Sequence, residues 1–258
     1  MPFEPENLKV AIITGAAQGI GRRTAELFAE AGYSLALIDR QPCYAIAATG
    51  EREELIGDIT EETFVERSVE RVRERWGRAD VLVNNAGISF IAPAETVSAS
   101  DFRRVLEVNL VAPFLLACGF GAMMLEQRLG SIVNIASIAG LTGIGDRSAY
   151  NASKHGLIGL TRTLAAEWGG RGVRCNAVCP GWVKTEMDHV DQASAAYTDD
   201  DIIDRVPMAR FATPDDIARA VLFLADPAQS GFVNGHTLTV DGGWTADGSW
   251  QSLRMQHR

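Results

Sequence analysis

Short apolar runs alternate with longer stretches of helical periodicity along nearly the whole chain. The runs are rich in Val, Ile and Leu, which is typical of strands that are covered on both faces. We predict seven strands, at 9–14, 33–39, 54–58, 80–84, 130–137, 173–179 and 236–241, and helices at 22–31, 60–76, 100–127 and about 150–168. This alternation predicts an α/β fold: a single doubly wound, mostly parallel seven-stranded sheet with helices on both faces.

Polar and glycine residues at the ends of these runs predict helix boundaries and loops. Gly32 is expected to close the first helix, and Thr60 to cap the second. The stretch 181–214 has no period and is long enough to be a substrate-binding loop. The tail 244–258 also lacks a period, so we expect it to fray. Because no linker interrupts the pattern, residues 1–258 are expected to form one domain.

Composition narrows the classes of function. The 258 residues carry a net charge of -9, and 47% of them are hydrophobic, so a large core is expected but no basic face. Nucleic acid is therefore not an expected partner, because phosphate contacts require basic residues. The N-terminus lacks the basic segment of a signal peptide, and the four cysteines lack metal-type spacing. We expect buried reduced thiols, no metal site and a cytoplasmic location.

One run without charge, from Val108 to Leu125, approaches the length of a membrane span. Asn109, Pro113 and two glycines interrupt it, which favours a buried helix over a membrane helix. A single domain rarely covers every face of such a helix. We therefore expect a homo-oligomer, with a homotetramer favoured, and no membrane association.

A glycine-rich segment, Thr14 to Gly21, joins the first strand to the first helix with the spacing Gly-x-x-x-Gly-x-Gly. In this position glycines let the backbone approach a pyrophosphate, and the helix N-terminus supplies amide donors. A tight structural turn would also use glycines, so the segment alone leaves both interpretations open.

The second strand ends in Asp39, eighteen residues after Gly21. A carboxylate here would accept hydrogen bonds from an adenosine ribose and would repel a 2′-phosphate, which favours NAD as the cofactor over NADP. Arg40 follows directly and could accommodate that phosphate, so NADP stays open as the less favoured alternative. A carboxylate that merely ends a strand is the structural alternative.

Tyr150 and Lys154 are four residues apart, which places a phenol beside an ammonium group on one helix face. The ammonium should lower the pKa of the phenol and so suit the tyrosine to proton transfer. Ser137 ends the fifth strand, and the carboxyl ends of parallel strands line the ligand crevice of such sheets. A surface Tyr–Lys pair without function is the alternative.

Together these residues resemble the short-chain dehydrogenase/reductase family, in its Rossmann-like, NAD(P)-dependent form of about the length of this chain. The resemblance spans nearly the whole sequence and rests on ordered motifs: Thr14–Gly21, Asn84–Gly87, Asn109, Ser137 with Tyr150 and Lys154, Pro180–Thr185 and Asp241–Gly243. It implies one dinucleotide-binding and catalytic domain. The distance from Asp39 to Asp58 is shorter than is usual in the family, so the helix on the adenine side looks trimmed.

The resemblance also implies roles for individual residues. Tyr150 would be the general acid/base, Lys154 would lower its pKa and bind the nicotinamide ribose, and Ser137 would hold the reacting oxygen. Asn109 would hold a water that connects Lys154 to solvent. Besides Tyr150 and Lys154, the cofactor would contact Gly15, Gln18, Gly19, Ile20, Gly21, Asp39, Arg40, Asp58, Ile59, Asn85, Ala86, Gly87, Pro180, Gly181, Val183 and Thr185.

We therefore expect an NAD-dependent oxidoreductase that interconverts a secondary alcohol, of polyol, sugar or cyclic diol type, and its ketone. A 3-oxoacyl-carrier-protein reductase is the enzymatic alternative, although Gln18 stands where such enzymes carry a basic residue. A nucleotide-binding sensor or scaffold without turnover is the alternative from another class. The substrate is expected to meet residues without a charged anchor for a carboxylate or phosphate: Ser89, Phe90, 142–145, Trp182 and Met187.

Overall fold

A computed structural model describes residues 9–43, 46, 50–185 and 197–249. Its strands form one seven-stranded sheet in the order β3-β2-β1-β4-β5-β6-β7, and every neighbouring pair is parallel. The strands are β1 Val10–Thr14, β2 Ser34–Asp39, β3 Arg52–Ile56, β4 Val81–Asn84, β5 Gly130–Ile135, β6 Val173–Pro180 and β7 Thr237–Val240. The predicted fold class is confirmed.

Helices connect the strands and lie on both faces of the sheet. They are α1 Gly19–Glu30, α2 Glu62–Trp76, α3 Ala99–Leu106, α4 Ala112–Gln127, α5 Ser148–Trp168, α6 Asp199–Arg205, α7 Pro214–Ala225 and α8 Pro227–Ser230. Short 3-10 turns lie at Ala94–Thr96, Ile138–Gly140 and Gly169–Arg171.

The core consists of an apolar layer on each side of the sheet. On one side, α1 and α7 pack through residues such as Phe28 and Leu224. On the other side, α2, α4 and α5 pack through residues such as Phe64, Phe120 and Leu164. Because both faces are covered, central strands such as β1 and β5 are buried throughout their length. This burial explains why they appear in the sequence as continuous apolar runs.

The helix predicted at 100–127 is interrupted. Between α3 and α4, the five residues Glu107–Val111 form a π-helical turn. The turn contains Asn109, which is fully buried and whose amide bonds to Ile88 and to Ser153. A π turn shifts the helical phase, and it is often found at functional sites. We attribute the interruption to the need to bury this amide with its partners, which apolar periodicity does not reveal.

Two predicted helix boundaries and one predicted loop are wrong. Thr60 does not cap α2, because its hydroxyl donates to Asp58 Oδ1 at 2.8 Å and Glu61 occupies the capping position. The loop predicted at 181–214 contains α6, which Thr198 and Asp201 begin with a reciprocal capping box. The first helix begins at Gly19, before the predicted residue 22. The predicted contact residue Met187 lies outside the described residues.

The described part of the C-terminal tail packs against α6, contrary to the expected fraying. Arg205 donates to the carbonyl oxygen of Asp247 at 3.0 Å, and its guanidinium lies 4.8 Å from the ring centroid of Trp244. Residues 250–258 lie outside the described part of the chain. Cys118 is exposed, contrary to the expectation of buried thiols, whereas the other three cysteines are buried.

The segment Ala99–Gln127 is long and apolar enough to cross a membrane by length and composition alone. Half of its most apolar window is buried inside the fold, as in a core helix, so this is weak evidence for a membrane span.

Candidate active site

A cleft of about 340 Å³ opens at the carboxyl ends of the strands. It lies beside the point where the strand order reverses, between β1 and β4, which is where ligands bind in open α/β sheets. Of the twenty residues predicted for the site, eighteen line this cleft. The other two lie behind its wall: Gly21 packs under the glycine turn, and Asn109 lies behind Gly87.

The glycine turn is built for close approach of backbone to backbone. Gly15 has a φ of +65°, and a Cβ on Gly21 would lie 2.0 Å from the carbonyl oxygen of Gly15. The Asn85 amide holds the turn by donating to the carbonyl oxygens of Thr14 and Gly15, at 2.9 and 3.2 Å. The turn therefore tolerates no side chain at Gly21 without moving.

The N-terminus of α1 fits an anionic group. Gln18 occupies the capping position, but its side chain makes no capping hydrogen bond. The first-turn amides of a helix are unsatisfied within the helix and carry a partial positive charge. Gly19 and Ile20 of this turn line the cleft. The residues present thus fit the pyrophosphate of a dinucleotide.

Asp39 and Asp58 form the wall beyond the glycine turn. Asp39 accepts the backbone N–H groups of Ala17 and Gln41, each at 3.0 Å, so its carboxylate is held against the turn. Arg40 Nε lies 3.7 Å from Asp58 Oδ2, and the arginine side chain is 79% exposed. The backbone N–H of Thr60 holds the pKa of Asp58 below its usual value. This wall therefore presents carboxylates and one exposed guanidinium.

Tyr150 and Lys154 lie together on the first turns of α5, as the spacing predicted. The Lys154 ammonium is 5.6 Å from the centroid of the Tyr150 ring, and it donates to the carbonyl oxygen of Ile135 at 2.8 Å. Burial lowers the pKa of Lys154 to about 8, and the thiol of Cys179 partly offsets the effect. Among the described residues Ile135 is the only hydrogen-bond partner of this ammonium. Its two other N–H groups are thus available to a ligand.

Ser137 and Asn109 complete the group, and they differ in how their side chains are used. Ser137 follows β5 and its oxygen accepts the N–H of Ala139 at 3.1 Å, which leaves its hydroxyl proton for a substrate oxygen. Both N–H donors of the Asn109 amide are used within the protein, by the Ile88 carbonyl and by Ser153 Oγ. Asn109 thus joins α5 to the segment that follows β4, and it sits behind the cleft.

The segment after β6 forms a further part of the cleft wall. Pro180, Gly181, Val183 and Thr185 line the cleft. Val183 pairs with Ala212 in an isolated parallel bridge, and Lys184 forms an ion pair with Asp199 of α6. The cleft wall is therefore tied to the short helix α6.

Arg147, a buried cation in the cleft wall, was not predicted from the sequence. Arg147 is 6% exposed and precedes α5, three residues before Tyr150. Its guanidinium donates to Ser89 Oγ at 2.8 Å and lies 5.7 Å from the ring centroid of Trp182. The pocket expected from the sequence did not include this cation, which the structure places in the cleft wall. Its position one turn before Tyr150 was the available signal.

Comparison with known proteins agrees with this architecture. A family model described as enoyl-(acyl carrier protein) reductase matches residues 15–245. D-threitol dehydrogenase of Mycolicibacterium smegmatis is 41% identical over 244 residues, which cover 92% of this chain and 93% of that protein. A 3-oxoacyl-[acyl-carrier-protein] reductase of Thermotoga maritima is 38% identical and covers 91% of this chain and 97% of its own.

A solved structure of similar sequence extends the comparison. It is a candidate NAD(P)-dependent gluconate 5-dehydrogenase from Beutenbergia cavernae with NADP bound at low occupancy. It is 41% identical, covers 93% of this chain and 97% of its own, and has a TM-score of 0.84. The family model and these whole-length relatives show that the chain belongs to the short-chain dehydrogenase/reductase family and is an oxidoreductase that acts on alcohol and ketone groups.

Proposed function

We propose that the chain is an NAD-dependent dehydrogenase that interconverts a secondary alcohol of polyol or sugar type and its ketone. The observation that carries the proposal is the cluster of Tyr150, Lys154 and Ser137 at one end of a cleft, with Asp39 at the other. The similarity to a D-threitol dehydrogenase supports a polyol, and the similarity to a candidate gluconate dehydrogenase supports a related sugar acid. A cyclic diol would suit the same chemistry.

Three residues have separate roles in proton transfer and substrate positioning: Tyr150, Lys154 and Ser137. Tyr150 takes the proton of the substrate hydroxyl as the alcohol is oxidised, and returns it in reduction. Lys154 favours the ionised phenol by its charge and binds ribose hydroxyls through its two remaining N–H groups. Ser137 donates its hydroxyl proton to the reacting oxygen and so fixes its orientation. A bound nicotinamide would supply or accept the hydride.

The Asn109 side chain does not line the cleft, so it acts on the substrate only through other residues. Because both donors of its amide are used by Ile88 and Ser153, its contribution to a water relay would come from other atoms, such as its backbone carbonyl. We propose that the Asn109 side chain holds α5, and with it Lys154, in position at the cleft.

Asp39 supports NAD over NADP. Its carboxylate already accepts two backbone N–H groups and stays at the edge of the cleft, where it would meet the adenosine ribose. Arg40 is paired with Asp58 at 3.7 Å, which draws it toward the adenine side. The bound NADP of the Beutenbergia cavernae protein keeps NADP as the alternative to be tested.

A 3-oxoacyl-carrier-protein reductase is the second candidate, favoured by the 38% identity to such an enzyme of Thermotoga maritima. Two features weigh against it. Gln18 provides no positive charge beside the glycine turn, and a net charge of -9 repels an acidic carrier protein. A cytoplasmic location suits either substrate class.

A Tyr150→Phe variant tests the proposed chemistry. Removing the phenol oxygen removes the proton acceptor while keeping the ring, so kcat should fall by about 10²–10⁴-fold with NAD binding retained. Turnover is followed by nicotinamide absorbance on a panel of polyols, sugars, sugar acids, secondary alcohols and 3-hydroxyacyl thioesters. The same change at Tyr33, buried against Phe28 and remote from the cleft, is the matched control. Unchanged turnover in Tyr150→Phe contradicts the assignment, and activity confined to acyl thioesters favours the second candidate.

Exchanging Asp39 tests the cofactor. Wild-type enzyme should have a higher kcat/KM with NAD than with NADP. Asp39→Ser should lower the ratio of these two kcat/KM values by about 10–100-fold, which would reduce or reverse the preference for NAD. The reason is the loss of a charged acceptor for the ribose and of repulsion toward a 2′-phosphate. Arg40→Ala serves as the second variant and should lower NADP use alone. A wild-type preference for NADP would overturn the NAD assignment and leave the dehydrogenase assignment intact.

A further inference from the structure

Ser153 is a buried polar residue to which the proposed mechanism assigns no role. It precedes Lys154 on α5 and is fully buried. Its oxygen accepts from Asn109 Nδ2 at 3.1 Å, and its hydroxyl donates to the carbonyl oxygen of Tyr150 at 2.7 Å. A serine within a helix often donates to a carbonyl of the preceding turn without further consequence, as Ser68 does in α2. Ser153 differs because it also accepts a hydrogen bond from another element.

The two bonds of Ser153 complete a chain of hydrogen bonds that begins at the cleft wall. Ile88 lines the cleft, and its backbone N–H and carbonyl oxygen both pair with the Asn109 side chain, each at 2.9 Å. Asn109 is fully buried, and the second N–H of its amide goes to Ser153. The chain thus runs from the backbone of Ile88 through two side chains to the backbone of Tyr150. Because both side chains are buried, removal of one leaves a polar group of the other unsatisfied.

We infer that Ser153 is a positioning residue, which fixes the first turns of α5 so that Tyr150 and Lys154 keep their places at the cleft. This inference rests on the proposed dehydrogenase function and extends the role proposed for Asn109. Through Ser153, the Tyr150 carbonyl is held from outside the helix as well as by the helix itself. Such precision matters, because misplacement of a reacting group by about 1 Å can cost about 10²-fold in rate.

Ser153→Ala tests this role without changing a charge. The Asn109 amide loses an acceptor, so the first turns of α5 gain freedom and the mean distance between the Tyr150 phenol and the Lys154 ammonium increases. The kcat for the best alcohol of the panel should fall by about 10-fold, with KM within about twofold of wild type. The pH at which oxidation reaches half its maximal rate should rise by about half a unit, because a more distant ammonium lowers the pKa of the phenol less.

The pH profile responds to the surroundings of Tyr150, and Ser153→Ala leaves all the charged groups there in place. Among the described residues, the charged and titratable groups that line the cleft or interact with Lys154 are Asp39, Arg40, Asp58, Arg147, Tyr150, Lys154 and Cys179. A shifted profile therefore reports a changed distance between the phenol and these neighbours. The ultraviolet absorbance of the phenolate measures the same pKa without turnover, once the spectrum of the matching protein with Tyr150→Phe is subtracted.

Thr161→Val is the matched control within the same helix. Thr161 is fully buried, accepts from Asn134 Nδ2 at 2.9 Å and donates to the carbonyl oxygen of Leu157 at 2.8 Å. It therefore repeats the bonding pattern of Ser153, about two turns farther along α5. Both variants remove a hydroxyl from a buried amide and should lower the free energy of unfolding. Only Ser153→Ala should change kcat and the pH profile.

The outcomes distinguish a positioning role from a purely structural one. Wild-type kcat and pH profile in Ser153→Ala, or equal changes in Thr161→Val, would mean that Ser153 only stabilises α5, which overturns the inference. Ser153→Cys keeps a weak donor and acceptor and should show the same changes at smaller size, so it serves as the test if Ser153→Ala does not fold. Absence of wild-type turnover on every alcohol would overturn the proposed function, and an unshifted phenolate absorbance in the variant would then overturn this inference separately.

Discussion

The proposed function needs the Lys154 ammonium in a buried position, and this burial lowers the stability of the folded protein. Lys154 is 4% exposed, and burial lowers its pKa from 10.5 to about 8. At neutral pH the group still carries its proton, so the folded protein holds a poorly solvated charge. A fall of this size corresponds to a cost of about 3 kcal/mol, since one pKa unit is about 1.4 kcal/mol.

Removing this charge should stabilise the protein while it abolishes turnover. In Lys154→Met the cost of burial disappears, and the hydrogen bond to Ile135, worth about 1 kcal/mol, is lost. We expect the free energy of unfolding of the cofactor-free variant to exceed that of wild type by about 1–2 kcal/mol at pH 7. Urea unfolding at one fixed protein concentration measures the difference.

The stability difference between wild type and Lys154→Met should also depend on pH, in a direction that the pKa of Lys154 fixes. Between about 8 and 10.5 the unfolded wild-type chain binds more protons at this lysine than the folded chain does, so wild-type stability rises with pH in that window. The advantage of Lys154→Met should therefore shrink between pH 7 and pH 10. Lys9→Met, at an exposed lysine, is the matched control. This explanation would be refuted if Lys154→Met were less stable than wild type at pH 7. It would also be refuted if the difference in their free energies of unfolding did not depend on pH.

Single residues also show what the sequence could and could not reveal about the site. The proximity of Tyr150 and Lys154 was predictable because helical periodicity fixes residues four apart on one face. The place of Asp39 was predictable because the register of β1 and β2 sets the end of β2 beside the glycine turn. Arg147 was not predictable in the same way. Its direction depends on Ser89, which comes from a loop 58 residues earlier.

Among the elements, the strands were predicted best and the helices less well. A parallel strand buried on both faces, such as β5, leaves an apolar run that few other structures imitate. The prediction of the edge strand β3 was displaced by two residues because the strand begins with three charged residues, 52–54, of which Glu53 pairs with Arg71 and Arg75 of α2. Edge strands commonly carry such charges, which mask the apolar signal.

The errors among the helices have local causes. The acidic segment that begins α6 has the composition of a solvated loop, although its Thr198–Asp201 capping box marks a helix start. The same kind of box, Thr213 with Asp216, begins α7, which was not predicted. The π turn around Asn109 follows from tertiary hydrogen bonds and leaves no period in the sequence. Capping chemistry would thus have improved the prediction more than hydrophobic periodicity.

At the scale of the whole molecule, α4 has an outer face without charge for most of its length. Phe114, Cys118 and Ala122 recur at every fourth position and are exposed, and Phe114 is 44% exposed. The inner face of the same helix is buried in the core through residues such as Phe120. A helix that is apolar on both its inner and outer faces needs a cover on each. We expect a second copy of the chain to cover the outer face, as part of the predicted homotetramer.

A charge placed on this outer face should therefore break the assembly. In Phe114→Glu, association would bury an unpaired carboxylate, whose desolvation costs several kcal/mol, enough to shift association by about 10²-fold or more. Light scattering after size exclusion at micromolar concentration should show wild type as an oligomer and Phe114→Glu at half that mass or less. Thr63→Glu adds the same charge at an exposed position of α2 and should leave the mass unchanged. Circular dichroism of Phe114→Glu separates dissociation from unfolding, and a monomeric wild type would contradict the expectation.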